Sequence, residues 1–273
     1  MMPRPPQPGE QLGLLLSQGA TAEIYGWDDA HVIKLFRPEY GLETAQYEER
    51  IARLVEAAGL KTPAVGDMIQ FDERVGLVYE RINGQQAIRA LEANPLRLSY
   101  FAREMARLHA SIHQQQDETL PAQKARLRHG IQEGQGLDDA TKHRLLERLE
   151  HLPDGNTICH GDFHMLNILI NSDDFVVIDW IDAVNGHPLG DVARSYIIMT
   201  ERRNDETGFV SNLFNWGPRR WFRRIYLDEY FKLRGGSWSD LAPWLPVVAA
   251  ARLREQVAQH LNLVSLVHKW LDE

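Results

Sequence analysis

The segment Cys159-His160-Gly161-Asp162-Phe163-His164-Met165-Leu166-Asn167, followed by Val176-Val177-Ile178-Asp179-Trp180, constrains this 273-residue chain more than any other. Asp162 and Asn167 stand five apart, and Asp179 lies twelve residues beyond Asn167. Ser172-Asp173-Asp174 is a turn between the runs 167–171 and 175–179. The pattern therefore reads as a polar loop, a β-hairpin and an apolar strand that ends on a carboxylate. This arrangement suits phosphoryl transfer. A nucleoside triphosphate brings roughly four negative charges, which call for Mg2+ held by hard oxygen ligands. An Asn carbonyl oxygen and an Asp carboxylate supply such ligands from two chain segments. A further carboxylate must face the acceptor hydroxyl and orient it or take its proton. A metal-dependent phosphoesterase is the rival use of His160, Asp162 and His164. It requires additional ligand clusters, such as Gly-Asn-His-Glu, and the sequence has none.

Upstream, three short runs (12–17, 22–27 and 31–36) are separated by Gln18-Gly19-Ala20-Thr21 and Asp28-Asp29-Ala30. Short strands joined by tight turns predict an antiparallel meander. A helix is expected from about Glu43 to Ala58, stopped by Gly59, and two more strands at about 65–71 and 75–81. Lys34 interrupts the apolar run Val32-Ile33-Lys34-Leu35-Phe36. A charge inside an apolar strand is costly unless it meets a counter-charge, the alternative being an outward-facing lysine. Gly19 and Thr21 are placed to turn backbone N–H groups toward phosphates, the alternative being a plain hairpin turn. Asn94-Pro95 predicts a helix start with Asn94 as cap, after which Phe101, Met105, Leu108 and Ile112 recur at helical spacing. Residues 117–150 read as polar, helical and mobile. From Asp191 onward the chain reads mostly helical.

The H-G-D-x4-N loop has the Asp–Asn spacing of the protein-kinase catalytic loop, with Gly161 in place of its Arg. Together with the Ile-Asp-Trp strand end, it resembles the aminoglycoside phosphotransferase and choline kinase superfamily over roughly residues 11–200. The resemblance implies an α+β, protein-kinase-like fold with a small antiparallel-sheet N-lobe and a larger, mostly helical C-lobe. The expected division is a mobile tail over 1–10, an N-lobe over 11–82 and a C-lobe over 83–273. It also implies an ATP- and Mg2+-dependent phosphotransferase acting on a small-molecule hydroxyl. In that reading Asp162 is the catalytic base, and Asn167 and Asp179 are the magnesium ligands. Lys34 contacts the α- and β-phosphates and pairs with Glu48, Glu49 being the neighbouring alternative. The Glu80 carbonyl and the Ile82 amide meet the adenine at the interlobe hinge. Asp191 and His160 brace the catalytic loop, and His109 resembles a packing histidine. A protein kinase is disfavoured, since no Asp-Phe-Gly or Ala-Pro-Glu segment follows. A non-catalytic nucleotide-binding module is disfavoured because Lys34, Asp162, Asn167 and Asp179 are all present.

Composition narrows the partners. A net charge of −8 gives no support to nucleic-acid binding through a broadly basic surface. No apolar run approaches the ~20 residues that span a bilayer. A single cysteine excludes an intramolecular disulfide and fits a reducing cytoplasm. Residues 201–273 hold eleven Lys or Arg against nine Asp or Glu, with Arg219, Arg220, Arg223 and Arg224 beside Trp216, Trp221 and Phe222. That balance argues against the acidic pocket a polycationic acceptor would need, unless Asp228, Glu229, Asp240 and Glu255 converge. A neutral or weakly charged hydroxylated acceptor is expected.

Overall fold

Tight turns between short apolar strands do produce an antiparallel sheet. The computed structural model describes residues 12–172, 174–200, 216–255 and 260–272. The tail expected over 1–10 and part of the hairpin turn, at Asp173, fall outside these. The chain divides into two compact units, one of Met1–Gln85 with Ile168–Ile181, the other of Gln86–Asn167 with Asp182–Glu273.

The first unit holds β1 (Leu15–Gln18), β2 (Ala22–Gly26), β3 (His31–Phe36), α1 (Gly41–Ala57), β4 (Val65–Phe71) and β5 (Arg74–Glu80). The sheet runs β1-β2-β3-β5-β4 with antiparallel neighbours. Ala45 and Ala52 of α1 form one buried cluster with Phe36, Val65 and Leu77, while Ile33, Ile69 and Val78 form a second. In β3 and β5 the split follows from the period-two alternation of strand side chains, and in β4 a register shift between Val65 and Met68 separates Val65 from Ile69. Gly59, at φ +73°, ends the helical segment as the sequence predicts, its N–H donating to the Glu56 carbonyl.

The chain continues through β6 (Gln85–Gln86), α2 (Ala87–Ala93), α3 (Leu98–Ile112), α4 (Gln123–Glu133), α5 (Asp139–His151) and β7 (Thr157–Cys159). Next come β8 (Ile168–Asn171), β9 (Asp174–Val177), β10 (Val184–Gly186), α6 (Pro188–Thr200) and α7 (Trp216–Arg234). The last helices are α8 (Trp238–Leu241), α9 (Trp244–Arg252) and α10 (His260–Asp272). Among the described residues, no helix is long and apolar enough to cross a membrane.

Three details differ from the sequence expectations. The β8–β9 hairpin belongs to the first unit rather than to the C-lobe. It is tied there by Val177 N–H donating to the Lys61 carbonyl and by Gly84, where a Cβ would lie 2.3 Å from the Ile170 oxygen. Asn94 does not cap α3. Its backbone N–H closes α2 onto Ala90 and Leu91, and Pro95 then opens a short 3-10 turn before α3. The polar stretch 117–150 forms two anchored helices. Asp138 caps α5 by accepting from Thr141 N at 2.7 Å, and Ile131, Leu145 and Leu149 are fully buried.

Helices α4 and α9 come close at Gly130 of α4, where an added Cβ would sit 2.7 Å from the backbone oxygen of Ala251 in α9. Gly130→Leu should therefore cost about 1–3 kcal/mol by overpacking. Gly217→Ala, where nothing lies within 4 Å, should stay within about 0.5 kcal/mol of the parent. Urea unfolding midpoints of the two variants check the contrast.

Candidate active site

Burial forces Lys34 to find counter-charges. Its ammonium lies 2.8 Å from Glu48 Oε1 and 3.2 Å from Asp179 Oδ1. Burial alone would lower the lysine pKa, but the charges of Glu48 and Asp179 outweigh it and hold the group above its usual value. Tyr79 Oη donates to the same Glu48 oxygen at 3.0 Å. Glu49 points elsewhere and pairs with Arg53 at 2.8 Å, so α1 presents Glu48 to the sheet, as the 100° step between neighbours requires. Asp179 adopts φ +63°, a left-handed conformation that costs a non-glycine residue on the order of 1 kcal/mol. Trp180 Nε1 donating to the Val177 carbonyl fixes the turn around it.

The β1–β2 turn is tethered at both ends. Gly19 N–H donates to the Ala22 carbonyl, its own carbonyl accepts from Arg37 Nε and Nη2, and Arg37 N–H donates to the Thr21 carbonyl. Glu80 ends β5 with an exposed side chain that accepts from Ala64 N, and Ile82 lies half-buried in the connection that follows.

The polar loop 160–167 belongs to the second unit. Asp162 Oδ1 accepts from Arg194 Nη2 at 3.1 Å, and Oδ2 lies 3.2 Å from His164 Nε2. Asn167 Nδ2 donates to the Asp162 carbonyl at 3.0 Å. Burial would raise the Asp162 carboxyl, but the His164 hydrogen bond and the Arg194 charge hold it far below the usual carboxylate range. Gly161 has φ +79°, and a Cβ there would fall 2.0 Å from the Asp182 carbonyl oxygen, so an Arg has no room. Asp182 itself pairs with Arg126.

Beneath the loop, the buried carboxylate of Asp191 accepts from His160 N at 2.6 Å and Gly161 N at 2.9 Å. His109 Nε2 and His113 Nε2 also lie 3.0 and 3.3 Å from its Oδ2. An ionised carboxylate only accepts, so both Nε2 atoms carry the proton and both Nδ1 atoms accept, from Tyr226 Oη at 2.6 Å and Tyr230 Oη at 2.7 Å. His109, His113 and Asp191 have metal-ligand spacing, but these hydrogen bonds already occupy their polar atoms. His160 Nδ1 accepts from Asp162 N at 3.2 Å.

Sequence reading missed Arg194, Arg252, His113, Tyr226 and Tyr230, and it named Glu255 only as a carboxylate that could line the acceptor pocket. Arg194 was within reach, since it stands three residues after Asp191 and so shares its helix face. The aromatic residues of 216–224 divide. Phe222 is buried, Trp221 is exposed, and the Trp216 side chain lies outside the described residues.

The sequence profile of the phosphotransferase enzyme family matches residues 15–222. A search of curated proteins returns no match. Among solved structures, the chain is similar to a thermostable mutant of aminoglycoside phosphotransferase APH(4)-Ia in ternary complex with AMP-PNP and hygromycin B. That match has 17% identity and a TM-score of 0.68, covering 96% of this chain and 93% of that one. Amicoumacin kinase hAmiN in complex with AMP-PNP, Ca2+ and Ami matches at 15% identity and a TM-score of 0.60, covering 97% and 88%. Aminoglycoside phosphotransferase APH(3'')-Id from Streptomyces rimosus matches at 17% and 0.57, covering 84% and 89%. Those likenesses establish the kinase-like fold.

Burial, reinforced by the neighbouring His109, pushes His113 down to about 4. The folded protein therefore refuses a proton that the unfolded chain accepts near its ordinary value of about 6.5. Stability is full above that value and falls as pH drops toward 4, by roughly 3 kcal/mol for this one group. Urea titrations at pH 7, 6 and 5 should show the decline, and His113→Gln should flatten it. An unchanged slope in the variant would place the proton uptake elsewhere.

Proposed function

Since the chain belongs to the phosphotransferase enzyme family, as an ATP-dependent kinase of small-molecule hydroxyls, we propose that Asp162 is the residue that receives the acceptor. Its carboxylate accepts a hydrogen bond from the acceptor hydroxyl, aims the oxygen at the γ-phosphorus and takes the proton as the new O–P bond forms. A carboxyl held this far below its usual range is a weak base, so orientation is its larger contribution, which suits a loose phosphoryl-transfer transition state. Lys34, kept charged by Glu48, binds α- and β-phosphate oxygens.

Asn167 and Asp179 are the proposed magnesium ligands. The donor set fits a hard cation: one carboxylate, and one amide whose nitrogen is committed to the Asp162 carbonyl, which leaves its oxygen as the ligand atom. Magnesium so held would neutralise phosphate oxygens as charge shifts onto the leaving group. Backbone groups of Gly19 and Thr21 would cover the phosphates, and the Glu80 carbonyl and Ile82 amide would meet the adenine. The neighbours' complexes with AMP-PNP support a nucleotide donor.

One observation carries this reading: a buried lysine held between a helix carboxylate and an Asp in a strained backbone conformation. Packing alone gives no reason for that strain, whereas a phosphate-and-metal site does. Asp162→Asn should keep nucleotide affinity yet lose about 10²–10⁴ in kcat, read by ADP release against a panel of hydroxylated metabolites. Near-normal kcat would remove Asp162 from the role. Asp179→Ala should abolish magnesium-dependent ATP turnover, and Lys34→Met should raise KM for ATP and lower kcat. A magnesium titration unchanged by Asp179→Ala would overturn the ligand assignment.

A further inference from the structure

The side chains packed around Asp162 speak to the acceptor's charge. Two guanidiniums from different helices of the second unit flank the carboxylate: Arg194 of α6 at 3.1 Å and Arg252 of α9 at 4.0 Å from Oδ1. Both are largely buried, with side chains 17% and 10% exposed. One carboxylate does not balance two guanidiniums. The second counter-charge comes from Glu255, whose Oε1 lies 2.5 Å from Arg194 Nη1 and whose Oε2 lies 3.3 Å from Arg252 Nη1. Its two oxygens thus bridge the two arginines, one oxygen to each guanidinium, as charge-assisted pairs.

Glu255 is more exposed than either partner, at 38% of its side chain, and sits in a short 3-10 turn just after α9. A carboxylate covering inner arginines from the solvent side contributes little to stability and is open to exchange. The Nε of Arg194, also buried, has no hydrogen-bond partner among the described residues, so this guanidinium has donor capacity beyond its pairs with Asp162 and Glu255. Meanwhile, of the four carboxylates that could have formed a cation-binding pocket, the three other than Glu255 are engaged elsewhere. Asp228 pairs with Arg224, Glu229 with Arg107, and Asp240 with Ser237. The charge balance of residues 201–273 pointed only to a neutral or weakly charged acceptor, whereas the local geometry goes a step further.

We propose that Arg194 and Arg252 form an anion subsite for the acceptor, that Glu255 occupies it until the acceptor's own carboxylate takes its place, and that the acceptor is therefore a hydroxylated acid. The inference rests on the kinase reading, with Asp162 as the group that meets the hydroxyl. In the reaction the hydroxyl oxygen bonds to the γ-phosphorus, the bond from that phosphorus to the β-bridging oxygen breaks, ADP leaves with the electron pair, and the hydroxyl proton passes to Asp162. The acid group takes no part in bond-making. It places the hydroxyl, and its charge excludes polycations, which would meet two buried guanidiniums.

Malonate, a dicarboxylate without a hydroxyl, is the probe. Calorimetric titration into wild type and Glu255→Gln, without nucleotide, should show at least tenfold tighter binding by the variant, because the built-in competitor is gone. Arg252→Gln added to that background should erase the gain, and Arg252→Lys should restore part of it. Equal affinity in wild type and Glu255→Gln, including no binding by either, overturns the proposal, as does a gain that survives Arg252→Gln. Glu255 is exposed enough that its variant should fold, so the first comparison stands alone. A screen of matched acceptors, glycerate against glycerol and gluconate against glucose, adds the substrate side. The acid should have the higher kcat/KM in every productive pair, and turnover confined to neutral or cationic acceptors sinks the assignment. Mg·ATP binding is measured on the same wild-type preparation. Its retention with no malonate effect removes only the anion subsite, whereas its absence removes the kinase reading beneath it.

Discussion

The buried carboxylate of Asp191 is the interaction on which the second unit's chemistry depends. At 2% exposure it would be costly to ionise unaided, yet four N–H groups from two parts of the chain converge on it. Two come from the backbone just before Asp162, and two from histidines one turn apart on α3. The tyrosines one turn apart on α7 then satisfy the outer nitrogens of those histidines. One carboxylate thus links α3, α6, α7 and the 160–167 loop into a fully partnered polar core. Such a core gives little net stability over an apolar one, but it admits few alternative arrangements. The loop gains one defined conformation, and that is what a catalytic carboxylate needs.

The two charged centres follow the same logic with opposite signs. Lys34 and Asp162 are both largely buried and both held in their charged forms by partners that outweigh desolvation. Neither is poised near neutral pH, where a general acid or base works best. The protein therefore invests in fixed charges at fixed positions rather than in a group ready to exchange protons. Phosphoryl transfer tolerates that choice, because most of its catalysis is placement and electrostatic stabilisation of the phosphate.

What was legible in the sequence was local. The strand 31–36 with Lys34 at its centre, the spacing from His160 to Asn167 and the hairpin before Asp179 all announce themselves by short-range pattern. The helix step lets only one of Glu48 and Glu49 face the sheet, and the family resemblance pointed to Glu48. Arg252 and Glu255 were not legible as partners of Asp162, because ninety residues intervene and no periodicity spans them. The histidine–tyrosine pairs illustrate the same limit. His109 with Tyr226 and His113 with Tyr230 share one separation, 117 residues. That regularity means something only once α3 and α7 are known to lie side by side. The hairpin was read correctly as a hairpin but placed with the wrong unit. Its anchors, Lys61 and Gly84, are backbone contacts that side-chain identity does not report.

Gly161 shows how these constraints interlock. The left-handed backbone and the Asp182 carbonyl leave no space for a side chain beside Asp162, so a positive charge cannot come from that position. Here it comes from α6. Within two turns that helix presents Asp191 to the loop's amides, Arg194 to the Asp162 carboxylate and Ser195 to the Phe163 carbonyl at 2.8 Å. Anchor and counter-charge therefore travel on one rigid element. A shift of α6 would move both together, preserving the geometry between Asp162 and Arg194 while displacing it from anything held by α9. Arg252 and Glu255 sit at the end of α9, and the Glu255–Arg194 contact bridges the two elements. Glu255 thus spans both helices, as Asp162 does, and it is the most exposed member of the cluster.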